Sequence, residues 1–522
     1  MNRWRNARAS SESKTSSISS WVGCPDDKDS APTRTWEGLC ERSPYRRLVT
    51  DASPSPVDGV LLITVDSLRA DALGGPDSVA PTIERLAQDG VRFENAFAAG
   101  NWTPFSFPSI LGPRPVFADG PAIGVGSPTL AETLSEYGVA TGGFNAANGF
   151  LTSHWGYDRG FDEFETFTES DGSLYGRYLA AHPTVQGWIQ LATSPVRRLA
   201  GRVRGDDRPQ FLDASRLIDL EARATDFIES VDGPFFLWIH YMDTHTPYVP
   251  APRHLREVTH DPASTLRMIR AHLRTGLGLE VTDAMLLDLR SLYEATVHQV
   301  DASVGRLLNA LEASGRREDT AIVLAGDHGE EFMEHGHLAH YPKLYDELTH
   351  VPYVVDYPGA DPRTVEDVVS LDTIPTTIAD ALDVPVREAF EGPSLVPVIA
   401  DGADVPDRPA LSTAVRGEKV TQQPIPKHRE EGELLVSARS ARWTYVHHAE
   451  TGEHELYDRR TDPDEQANVW LALADEPGVQ ALRDAAIEHV DRLDAAASTE
   501  EGDRGDATPA EIERQLEALG YQ

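Results

Sequence analysis

Between residues 57 and 382 the chain alternates short apolar runs with stretches whose apolar positions recur every three to four residues. The runs at 59–65, 235–240 and 321–326 are rich in branched and aromatic residues and bounded by glycine, proline or acid, the pattern of strands buried on both faces. Runs at 139–144 and 351–357 read the same way. Helical spacing covers 81–90, with proline near its start and glycine at its end, and then 130–137, 217–230, 286–311 and 371–382. Strands alternating with helices predict an α/β domain with a mostly parallel sheet and helices on both faces. Past residue 400 the pattern changes. Segments 433–436, 443–447 and 453–457 predict short antiparallel strands, followed by helices at 479–493 and 509–519, together a smaller α+β subdomain. The expected organisation is a polar leader over 1–55, a catalytic domain over 56–398 and a C-terminal subdomain with a terminal helix over 399–522.

Composition narrows the function classes. A chain of 522 residues can bury a large core and carry both units. The leader, rich in Ser, Arg, Asp and Pro without periodicity, reads as disordered. Net charge is −37, from 84 acids against 47 bases, and only five of those bases are lysines. Such a balance argues against nucleic-acid binding, which needs positive surface. It predicts a halophilic source, where salt screens the self-repulsion. No run reaches the roughly 18 to 20 apolar residues of a membrane span, and the N-terminus lacks the apolar core of a signal peptide. Cys24 and Cys40 form no CxxC motif, so a cytoplasmic location is expected. Segment 188–204 carries an arginine cluster that could touch an anionic lipid surface or substrate; it is read as a solvated, salt-bridged loop.

The chemistry gathers at the ends of the apolar runs. One ends on Asp66, one on His240 followed by Tyr241-Met242-Asp243-Thr244-His245, and one on Asp327-His328. In open α/β sheets ligands bind just beyond the carboxyl ends of strands, and carboxylates with imidazole make a ligand set for a divalent cation. Asp66, Asp327 and His328 are the candidate ligands of one ion. An oxygen-rich set suits Ca²⁺ or Mg²⁺, whereas the imidazole favours Mn²⁺ or Zn²⁺. Asp243 and His245 could serve a second ion, although its remaining ligands are not evident. Thr103 lies just before an apparent short helix, whose N–H groups and dipole favour an anion. Coordinated to the metal, its hydroxyl would be a nucleophile; alternatively Thr103 only caps the helix. Lys343 is the sole lysine between Lys28 and Lys419 and suggests a cation with a specific partner. Five histidines crowd into 328–350 around it. Of these, His337, His340 and His350 are read as loop or packing residues.

These motifs, in this order and spacing, resemble the sulfatases of the alkaline phosphatase superfamily over about residues 57–520. The matching segments are Val60-Leu-Leu-Ile-Thr-Val-Asp66-Ser-Leu-Arg-Ala-Asp71, Gly90-Val-Arg-Phe-Glu-Asn-Ala-Phe97, Trp102-Thr103 with Ser106 and Ser109, and His240-Tyr-Met-Asp-Thr-His245-Thr-Pro-Tyr248. Further matches are Gly326-Asp327-His328-Gly-Glu-Glu331, His335-Gly336, Lys343, Tyr345 and the 455–465 segment. The resemblance implies an alkaline-phosphatase-like fold and a metallohydrolase of sulfate or phosphate esters. Asp66, Asp327 and His328 would hold the metal and Thr103 would stand at the nucleophile position. Lys343 and His245 would contact the ester oxygens, with His240 and His335 in the same shell. Two departures bear on the reaction. Ser67 stands where sulfatases carry a second acid. Thr103, Phe105 and Phe107 replace the residues of the Cys/Ser-x-Pro-x-Arg motif that yields formylglycine, so no formylglycine is expected. The implied substrate is an anionic small-molecule or glycan ester. A phosphoryl or sulfuryl transferase acting on a glycan or lipid, and a non-catalytic binding protein on the same scaffold, remain alternatives.

Overall fold

The computed structural model describes residues 57–499 apart from 75–77, 114–121, 125, 147, 168–215, 260–269, 271–273, 275–280 and 418–431. The leader with Cys24 and Cys40, the 188–204 arginine cluster and the 509–519 segment lie outside the described residues.

An eight-stranded sheet forms the centre, in the order β10-β2-β9-β6-β1-β5-β3-β4. Its strands are β1 (Gly59–Val65), β2 (Val91–Phe97), β3 (Ala140–Asn145), β4 (Glu163–Glu165), β5 (Phe235–Tyr241), β6 (Thr320–Gly326), β9 (Tyr353–Asp356) and β10 (Arg363–Ser370). A two-stranded hairpin, β7 (Glu331–Phe332) with β8 (Leu338–Ala339), leaves the sheet after β6. Successive β1 side chains feed opposite faces. Val60 and Leu62 join one core with residues of helices Thr103–Leu111, Leu130–Ser135 and Ile374–Ala381. Leu61, Ile63 and Val65 join the other with helices Pro81–Asp89, Leu217–Ser230 and Asp283–Ala313. Burial on both faces is why β1, β5 and β6 are continuously apolar.

The sheet is mixed, because β9 runs antiparallel to both β2 and β6. Between β6 and β9 only the hairpin and the four-residue helix Asp346–Thr349 intervene. A parallel return is usually made through a crossover helix packed on the sheet, and this connection has none of that length. β2 and β10 were not legible as strands, since Arg92, Glu94, Glu366 and Asp367 interrupt their apolar pattern. β10 is an edge strand and exposes those acids to solvent.

The C-terminal part is a four-stranded antiparallel sheet, β11 (Ala410–Gly417), β12 (Gly432–Arg439), β13 (Trp443–His448) and β14 (His454–Asp458), packed against the helix Pro477–Thr499. Trp102, Phe105 and Phe150 of the main body belong to its apolar core, together with Val436, Tyr445, Leu456 and Leu482. β11 is pinned beside them, with the Thr413 N–H donating to Ala99 O at 2.8 Å and Ser412 Oγ to Ala98 O at 2.6 Å.

Candidate active site

β1 lies between β5 and β6, parallel to both, with Val65 level with Tyr241 and Gly326. That register brings Asp66 and Asp327 side by side at the carboxyl ends of adjacent strands. The Asp66 N–H donates to Tyr241 O (2.8 Å) and the Asp327 N–H to Val65 O (3.2 Å), which fixes both backbones. The chain turns sharply after Asp66 because Ser67 has φ +55. Its N–H then donates to Asp327 Oδ1 (3.1 Å) and its hydroxyl to Asp66 Oδ1 (2.9 Å). Gly326 is required here, since a Cβ would lie 2.4 Å from Leu68 O.

Thr103 opens the helix Thr103–Leu111, and Trp102 occupies the cap position. Thr103 is therefore not the cap. Its hydroxyl instead lies 3.1 Å from Asp66 Oδ2, 3.0 Å from Asp327 Oδ2 and 3.5 Å from His328 Nε2. Thr103, both aspartates and His328 are all buried. One hydroxyl proton cannot serve two carboxylates at once. Burial, and then the neighbouring Asp66 charge, push the Asp327 pKa well above the carboxylate range. His328 is pushed down to about 4, chiefly by burial, and burial also lowers His240 and His245. Near neutral pH the aspartates thus face uncharged rings. Among the described residues no lysine or arginine pairs with either carboxylate. Two aspartates crowded into one buried site and ringed by neutral imidazoles suit a divalent cation. Asp66, His240 and Asp327 bring one ligand atom each to within 4.8 Å of one another, and His328 Nε2 lies 3.6 Å from Asp66 Oδ1 and 3.7 Å from Asp327 Oδ2.

The remaining residues singled out from sequence divide into two groups. His240 and His245 join this cluster: His240 Nε2 is 3.7 Å from Asp66 Oδ2, and the His245 ring stands 5.0 Å from that of His340. Phe107, at the position of the motif's arginine, sets its ring edge-on to His240 at 4.9 Å. Lys343 and His335 are engaged elsewhere. The Lys343 ammonium donates to both Glu331 oxygens, at 3.0 and 3.1 Å, and to His335 O at 2.5 Å. The same Glu331 carboxylate accepts the His335 and His337 N–H groups, so the pair organises the β7–β8 hairpin. His335 pairs with Glu347 (2.6 Å), stacks on Tyr345 and contacts Glu465 O at 3.1 Å. Its described contacts thus join the hairpin to the C-terminal part. Asp243 Oδ1 accepts a bond from Gln299 Nε2 at 2.6 Å.

Two groups went unread in the sequence. Asn148 is buried and donates its amide to Asp66 Oδ2 at 3.1 Å. It follows β3, so the same strand-end rule that found Asp66 could have found it. His340, set aside as a loop residue, faces His245 and His328 and lies near the buried Glu330, with Nδ1 3.7 Å from Glu330 Oε2. Its membership depends on the fold of the hairpin, which no spacing reveals.

A family model described as Sulfatase matches residues 59–384, more than half of the chain. The chain belongs to the sulfatase family. It has that family's alkaline-phosphatase-like fold, and the expected class, an ester-bond hydrolase, is the one the family holds. The chain is 29% identical over 212 residues to arylsulfatase K of Gallus gallus, covering 39% of this chain and only 37% of that protein. It is 25% identical over 477 residues to choline-sulfatase of Rhizobium meliloti (strain 1021), covering 83% of this chain and 86% of that one. The solved phosphonate monoester hydrolase of Agrobacterium radiobacter shares the fold with a TM-score of 0.62 at 21% identity, covering 84% of this chain and 96% of the other. Among the described residues no helix is long and apolar enough to cross a membrane.

Proposed function

We propose that this sulfatase-family chain is a metal-dependent hydrolase of sulfate or phosphate esters in which Thr103 is the nucleophile. One observation carries the reading: a buried threonine hydroxyl at the mouth of a helix touches the carboxylates of two adjacent strand ends, at 3.0 and 3.1 Å. Asp66, Asp327, His328 and Thr103 would hold the divalent cation. When bound, that ion supplies positive charge that draws electrons from the ester's non-bridging oxygens and favours the ionised form of a nearby hydroxyl.

The chain's own residues account for the rest. The Oδ2 atoms of Asp66 and Asp327 fix the direction of Thr103 Oγ, and Asn148 fixes Asp66. Thr103 Oγ forms a bond to sulfur or phosphorus while the bond to the ester oxygen breaks on the opposite side. The departing oxygen takes up a proton and leaves as the alcohol. Water then cleaves the threonyl ester and restores the hydroxyl. His245, beside Asp66 and His340, meets the oxygens of the transferred group. Lys343 acts one step removed, holding the hairpin through Glu331. The substrate is an anionic small-molecule or glycan ester, and the similarity to choline-sulfatase favours a sulfate ester.

Chelation tests this. Protein stripped of divalent ions should be inactive on an aryl sulfate, an aryl phosphate, an aryl phosphodiester and an aryl phosphonate. Adding back one divalent ion should restore turnover on at least one of the four. Inactivity on all four with every ion tried would favour the non-catalytic alternative. Turnover only with an added glycan or glycerol acceptor would favour a transferase.

A further inference from the structure

We infer that Gln299 is a positioning residue: its side-chain amide clips both ends of the loop that carries His245, and so sets where that imidazole stands in the active site. The inference rests on the reading above that His245 meets the oxygens of the transferred group. What it adds comes from the far side of the loop, on the helix Asp283–Ala313.

The loop leaves the end of β5 and runs to the helix Pro252–Val258. Its first residues are tied to the strand ends. The Thr244 hydroxyl donates to Asp66 O, and the His245 N–H donates to Met242 O at 3.1 Å. The span of the loop is set from outside. Gln299 Oε1 accepts the Ala251 N–H at 2.7 Å, and Gln299 Nε2 donates to Asp243 Oδ1 at 2.6 Å. Asp243 and Ala251 stand eight positions apart, with His245 between them. One side chain therefore closes the loop into a ring. A backbone N–H only donates and an ionised carboxylate only accepts, so the two partners demand opposite ends of the amide. Its orientation is fixed by their chemistry. Turned over, the amide would set donor against donor and acceptor against acceptor.

Gln299 is buried, and a buried amide is tolerated where its hydrogen bonds are made. The 31-residue helix that carries it packs Leu292, Val300 and Val304 into the core with Leu61 and Ile63 of β1. The clip is thus mounted on the same rigid body as Asp66, which is what a group holding a reacting side chain needs. The loop is not attached through Gln299 alone. Tyr248 and Leu255 join the same apolar core, and His254 Nδ1 stands 2.8 Å from His298 Nδ1 on the long helix. Loss of the amide therefore frees the path of residues 243–251 while the helix that follows stays docked. His245 faces His340 with 5.0 Å between ring centroids, so a shift of the loop changes the gap in which the ester oxygens lie. Misplacement by about 1 Å can cost about 100-fold in rate.

The test uses the full-length protein with its divalent ion and whichever of the four aryl esters the wild type turns over. Gln299→Met keeps the length of the side chain and removes both bonds. It should lower kcat by about 10–100-fold with KM changed only a few-fold. Divalent-ion affinity, measured by competition with a chromophoric chelator, should be nearly unchanged. The deciding readout is the double-mutant cycle with His245→Ala. In that background Gln299→Met should cost no more than about twofold, because the group it positions is gone. A merely structural glutamine would lower kcat by the same factor with or without His245. If Gln299→Met does not fold, Gln299→Glu takes its place in the cycle, since it keeps the bond to Ala251 and sets a carboxylate against Asp243. Additive losses, or a Gln299 variant within about twofold of wild type, overturn the inference and leave the nucleophile and metal readings standing. Wild-type turnover in His245→Ala removes the role of the positioned group, and the inference with it. A wild type inactive on all four esters overturns the reading on which this one rests.

Discussion

Thr103→Ala should abolish turnover, lowering kcat by at least about 10⁴-fold with KM changed only a few-fold, because removal of a nucleophile eliminates a bond made in the transition state. That corresponds to about 5.5 kcal/mol of barrier. The variant should fold normally. Alanine suits the first position of the helix, and the hydroxyl lost was shared between two acceptors competing for one proton. Thr103→Ser should keep the reaction, at reduced rate, since the oxygen remains and only the methyl that fixes its rotamer is lost. Acid-quenched wild-type protein should carry a sulfuryl or phosphoryl group on the peptide containing Thr103. Full activity in Thr103→Ala, or the group found on another residue, would remove the nucleophile assignment while leaving the metal site intact.

The second large effect concerns stability and has a sign opposite to intuition. Asp327→Asn should make the metal-free protein more stable near neutral pH while destroying metal binding and activity. Burial and the Asp66 charge raise the folded-state pKa of Asp327. A carboxyl raised on folding contributes stability that is complete below its unfolded pKa, about 3.9, and is lost as pH rises through the folded value. The metal-free wild type therefore surrenders that contribution near neutrality, and the amide does not. His328 works in the opposite direction: its folded pKa is depressed to about 4, so its contribution is present above about 6.5 and lost as pH falls. For that reason the quantity to measure is the difference in unfolding free energy between variant and wild type across pH 4–8. It should grow with pH by roughly 1–3 kcal/mol, and saturating divalent ion should reverse it. A difference that is flat with pH would mean the two carboxylates are not coupled.

Much of this site could be read from the chain because strand ends are local signals. Asp66, His240 and Asp327 each close or border an apolar run, and parallel pairing of those runs leaves little freedom in where they meet. Thr103 was legible for a different reason, the helix start that follows it. Lys343 stood out because lysine is scarce in this chain. A rare cation was placed at the ester oxygens, yet in the fold it neutralises Glu331, a carboxylate buried by the hairpin. His335 sits in the turn between β7 and β8, where its contacts follow from the fold of the hairpin and not from its spacing in the chain. The antiparallel β9 was hidden for a related reason. Strand direction depends on what the connection contains, and the 327–352 segment has the length of a crossover without the helix to make one.

The similarity that places the chain in its family ends at residue 384, but the wall behind Thr103 does not. Trp102 and Phe105 flank Thr103 and bury their rings among Val436, Leu456 and Leu482, residues more than fifty positions past that limit. A gene fragment trimmed to the recognisable portion would leave those rings facing water and the turn without its backing. In this chain the body packed around Thr103 is longer than the portion by which the family is recognised.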